Sequence, residues 1–80
     1  MNNIDTHERV RRRTLIAVSL ADTLSTEQVK PALEIFDQEF IDQAEFSVVK
    51  FCYRLQQQFG LSHAVIQRLL INVSRRLFID

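Results

Sequence analysis

The stretch FCYRLQQQFGLSHAVIQRLL, residues 51–70, sets two segments of helical periodicity on either side of the chain's only glycine. A glycine between two such segments reads as a stop, because it alone takes a left-handed backbone conformation without a Cβ penalty. Two residues later Ser62 supplies a side-chain oxygen to cap the next helix, with Leu61 and Ile66 as the hydrophobic staple around it. That helix is expected over roughly 63–79. Ile66, Leu69, Leu70, Val73 and Leu77 fall on one face of it. Ala64, Ile71 and Phe78 recur every seven residues on the far side, beside Arg68 and Arg75.

Further helix starts can be read towards the N-terminus. Asp5 followed by Glu8 is a capping-box pattern and opens a helix over about 6–23, leaving residues 1–5 as a frayed end. Ser25 with Gln28 opens a second helix, with Leu24 and Val29 as its staple. Pro31 lies too deep in that helix to be harmless, so a kink or restart is expected there. Asp42 with Glu45, flanked by Ile41 and Phe46, reads as the start of a third. Leu33, Phe36, Phe40, Ala44, Val48, Phe51 and Leu55 keep near-helical spacing straight through that start. One long helix is the alternative; a break is preferred.

Composition agrees with helices. One Gly, one Pro and 46% hydrophobic residues in 80 leave little turn chemistry for a β fold, and the length makes one domain, 1–80. The expected fold is all-α, a small four-helix domain. Cys52 is the only cysteine, so there is no internal disulfide, and Cys52, His7 and His63 have no ligand spacing for a structural metal. Self-association remains as a source of stability for so short a chain. Leu15 to Ala21 is apolar nearly all round its helix, and residues 63–79 carry two apolar faces. Both helices cannot be central in so small a monomer. A homodimer through Leu15, Ile16, Ala64, Ile71, Arg75 and Phe78 is therefore expected.

Net charge is zero, but it is divided. Residues 1–21 hold four Arg against Asp5 and Glu8, residues 22–45 hold seven acids against Lys30, and residues 46–80 hold five bases against Asp80. A neutral total argues against a strong nonspecific grip on nucleic acid; the basic ends allow a localised one. Arg9, Arg11, Arg12 and Arg13 could grip phosphates, but facing the acidic middle helix is the preferred reading. Glu34, Asp37, Glu39, Asp42 and Glu45 read mostly as a solvated face, since no Glu-x-x-His pair accompanies them. The arginine run before Thr14–Ala21 imitates a signal peptide but is read as helix 1, and no run approaches a membrane span. With no nucleophile–base spacing and no phosphate loop, neither an enzyme nor a cofactor is expected, and the chain is placed in the cytoplasm.

Residues 51–70 resemble the helix-turn-helix of phage-repressor-type DNA-binding proteins, over about a quarter of the chain. Gly60 stands in the turn. Leu55, Phe59, Leu61, Ile66 and Leu69 stand at the positions where the two helices touch, and Ser62 at the cap. Gln56 departs from the pattern, since such motifs usually carry a small residue four places before the glycine. The resemblance implies that Ser62, His63, Gln67 and Arg68 face the major groove, where Gln pairs with adenine and Arg with guanine. A plain helical hairpin also fits the same connection. The functional expectation is a dimeric DNA-binding transcriptional regulator. The alternative is a protein-binding regulator (an antirepressor, inhibitor or adaptor) working through apolar or acidic helix faces.

Overall fold

The computed structural model describes residues 5–79, so most of the expected frayed end lies outside the described residues. The chain is all-α, with α1 (Thr6–Thr23), α2 (Thr26–Glu39), α3 (Val48–Phe59) and α4 (His63–Phe78).

Three of the helices begin where their capping residues stand. The Asp5 carboxylate accepts from the Glu8 N–H at 2.8 Å, and Ser62 Oγ from the Val65 N–H at 3.2 Å. At α2 the Gln28 side chain accepts from the Ser25 N–H at 3.3 Å. Helix α2 runs through Pro31 without a restart.

The third start differs from expectation. Residues 40–47 form a connection of turns, and Ser47 rather than Asp42 caps α3, accepting from the Lys50 N–H at 3.2 Å. Asp42 is spent elsewhere: its carboxylate pairs with Arg9 at 2.8 Å. Phe40 and Ile41 turn into the core, which a continuing helix could not arrange alongside Phe46. The break between α2 and α3 is thus present, and α3 starts several residues later than the sequence pattern indicated.

Helix α1 is the central element and packs against both α2 and α4. Arg9 and Arg13 meet Asp42 and Asp37, so α2 runs antiparallel to it. Arg11 meets Leu77 and Thr23 meets Asn72, so α4 does likewise. Ile16, Leu20 and Ser19 are wholly buried at its middle. A nest of Phe36, Phe40, Phe46 and Phe51 closes the other end, mostly edge-to-face with centroids 5.3–5.9 Å apart.

This centrality corrects part of the expected dimer contact. Ile16 is fully buried within the chain and offers no face to a second copy; Leu15 is half-buried against the same core. Much of the apolar surface of α1 is satisfied inside one chain, while Val10 and Val18 stay exposed.

Candidate nucleic-acid interface

Gly60 ends α3 in the left-handed region, at φ 63° and ψ 39°, with its N–H donating to the Gln56 carbonyl at 2.8 Å. Three residues, 60–62, join α3 to α4. Leu55, Ile66 and Leu69 are buried, and Phe59 and Leu61 half-buried, where the two helices meet the core. Gln56 is half-buried beside the connection.

Ser62, His63, Gln67 and Arg68 are all exposed on the first two turns of α4. The Gln67 amide lies 3.2 Å from His63 Nε2. With the ring proton on Nδ1, Gln67 donates to His63, which holds the two side chains as one polar unit on the surface. The Arg68 side chain makes no hydrogen bond or ion pair among the described residues. Nor does that of Arg75, two turns further on, which is also exposed.

The other arginines are occupied. Arg13 grips Asp37 through two bonds of 2.9 and 3.0 Å, and that hydrogen bonding, then the carboxylate's charge, raises its pKa further. Arg54 holds Glu39 in the same two-pronged way at 3.0 and 3.1 Å, and Arg76 reaches Asp22 at 3.7 Å. Arg11 donates to the Leu77 carbonyl at 2.9 Å, satisfying an end of α4. Arg12 turns inward: it donates to the carbonyls of Gln43 (2.6 Å) and Ile41 (3.5 Å) and lies over the Phe46 ring. The cluster at the start of α1 is therefore committed to its own chain, and so are Asp37, Glu39 and Asp42 of the acidic strip. Glu34 and Glu45 remain exposed.

Residues 46–79 contain no Asp or Glu. Among the described residues of this half, Lys50, Arg68 and Arg75 form no ion pair. Arg12 gave no charge signal that set it apart from its neighbours. Its place in the 12, 16, 20 stripe with Ile16 and Leu20 was the only one.

Of the expected contact residues on α4, Ala64, Ile71, Arg75 and Phe78 are exposed, Ile71 at 57% and Phe78 at 67%. A cleft of about 330 Å³ opens between Glu8, Arg11 and Arg12 of α1, residues 44–46, and Leu77 and Phe78. Its arginines are already bonded to carbonyls. Among the described residues no cluster of His, Cys, Asp and Glu could hold a metal ion, and no helix is long and apolar enough to cross a membrane. No family model, curated protein or solved structure matches this chain.

Proposed function

We propose that this protein is a small, non-catalytic regulator that reads duplex DNA with the N-terminal half of α4 and acts as a homodimer. The observation that carries the reading is the connection itself. A left-handed Gly60 and a capping Ser62 launch α4 so that Ser62, His63, Gln67 and Arg68 project together from its first turns. In this role Gln67 pairs with an adenine edge and Arg68 with guanine, and Ser62 and His63 contact the backbone or an adjacent base. The division of charge supports it, because the α3–α4 half keeps Lys50, Arg68 and Arg75 without an ion pair among the described residues.

A dimer gives the reading segments the reach of two half-sites. Two copies meeting through Phe78 and Ile79 at the ends of α4 place Val65 of each about 20 Å from the axis, at about 1.5 Å per helical residue. Their reading segments then lie up to about 40 Å apart, enough to reach half-sites about 34–36 Å apart on one side of the duplex.

Selection from a pool of random duplexes at low salt tests this reading. A recurrent, two-fold symmetric site is the expected product. A pool that emerges without enrichment contradicts the reading.

A further inference from the structure

The cleft between the start of α1, residues 44–46 and the end of α4 has apolar walls in Phe46 and Leu77. Phe78 lines it as well, while keeping 67% of its surface in water. The charges around it are unequally settled. Arg11 and Arg12 donate to the carbonyls of Leu77 and Gln43 and share Glu8 at 3.4 and 3.8 Å. Glu45 is exposed and forms no ion pair among the described residues. The cleft therefore suits an apolar side chain with a cation beside it.

The end of α4 carries that combination. Phe78 and the exposed Arg75 stand three residues apart, so they are neighbours on the helix surface, about 4.5 Å apart along its axis. Arg75 also forms no ion pair among the described residues. We infer that in a dimer of this protein the end of α4 of each copy docks at the cleft of the other. Phe78 then packs against Phe46 of the partner subunit, and Arg75 pairs with Glu45 of the partner subunit. The inference rests on the homodimer reading and not on DNA binding.

Symmetry and charge together identify a second copy as the occupant. Phe78 both lines a cleft and protrudes from it, so two copies related by a two-fold axis beside it fill both clefts in one closed contact. The same operation brings each Glu45 to an Arg75, twice per dimer. Exposed Tyr53, with Lys50 three residues before it, offers a similar pair on α3. Tyr53 does not line the cleft, so docking it there makes a head-to-tail contact that does not close on itself. The volume of about 330 Å³ lies at the small end for ligand pockets, about 300–1,000 Å³, and suits one aromatic anchor. An axis at the ends of α4 is also where the two-half-site arrangement needs it. Arg75 is then held by the partner, while Arg68, two turns nearer the start of α4, stays available to DNA.

Sedimentation of the full chain at micromolar concentration tests the ion pair by charge reversal. Glu45→Arg and Arg75→Glu, both at exposed positions and checked for folding by circular dichroism, each set like charges together at both contacts. Either alone should weaken dimerisation at least about tenfold, and the neutral Glu45→Gln less. Mixed in equal amounts, the two reversed variants should recover a dimer, because their hybrid has opposite charges at both contacts. A chain carrying both reversals should recover one for the same reason. A wild-type dimer that Phe78→Asp dissociates but neither reversal weakens overturns the cleft docking and leaves the dimer standing. Loss in both single variants with no recovery in the mixture or the double variant also overturns it. Dissociation by Lys50→Glu but not by Arg75→Glu overturns it in favour of the Tyr53 contact. A wild type that stays monomeric at every concentration removes the docking and the dimer together, whatever DNA selection shows.

Discussion

Arg12 donates to the main-chain carbonyl of Gln43 at 2.6 Å, tying the middle of the first helix to the irregular connection between α2 and α3. Its neighbour Arg13 is committed at the surface, in a two-pronged pair with Asp37. The two predict opposite sensitivities. Arg12 is nearly buried, with a side-chain exposure of 8%, and its loss strands two carbonyls and uncovers Phe46. Arg12→Ala should therefore cost about 1.5–3 kcal/mol, the range for hydrogen bonds to a charged group. Arg13→Ala, with half the guanidinium already in water, should cost less than about 1 kcal/mol. Urea unfolding of the two variants measures the contrast.

The α3–α4 connection predicts a graded series at Gly60. A Cβ there would meet nothing within 4 Å, so any penalty comes from the positive φ alone. Gly60→Ala should cost about 1 kcal/mol, Gly60→Asn less, and the β-branched Gly60→Val more. Ser62→Ala should cost about 1 kcal/mol through loss of the cap. Thermal melts that show all four changes silent would contradict the described start of α4.

Much of this was legible because capping chemistry is local. Asp5, Ser25 and Ser62 each stand immediately before an apolar-periodic run, and Gly60 is the chain's single glycine. Asp42 with Glu45 has the same local form, yet tertiary demands override it: Arg9 takes the Asp42 carboxylate and Arg12 takes the carbonyls of Ile41 and Gln43. The true cap, Ser47, has Lys50 three residues on and so lacks the box signature. Apolarity around α1 was also ambiguous, because periodicity cannot say which helix becomes central. The exposed face of α4 was legible as a pattern; that Arg68 and Arg75 form no ion pair among the described residues was not, because pairing depends on which helices meet.

Burial of Cys52 between α3 and the core pushes its thiol pKa up to about 12. The folded value lies above the unfolded one, so the thiol's contribution is complete below the ordinary thiol pKa and is lost as pH climbs from about 9 towards 12. Stability should decline across that alkaline window, and Cys52→Ala should lessen the decline. At neutral pH a disulfide reagent should label Cys52 only as fast as the chain opens, with labelling accelerated by urea.

Exposed Phe78 and Ile79 predict a dimer at micromolar concentration, sensitive to Phe78→Asp. Each apolar side chain withdrawn from water contributes about 25 cal/mol per Å². Sedimentation should show the wild type shifting towards dimer with concentration and the variant remaining monomeric. A wild-type monomer at every concentration would remove the two-half-site geometry.

The reading role of α4 is tested most directly by fluorescence anisotropy with a selected duplex, comparing wild type with Arg68→Ala at low and moderate salt. The account predicts site-selective binding that weakens as salt rises, through release of counterions from the phosphates. Arg68→Ala should lose about 1–3 kcal/mol of affinity and relax the preference at one base pair. Binding that is equal for all sequences and indifferent to Arg68, or no binding even at low salt, would contradict it.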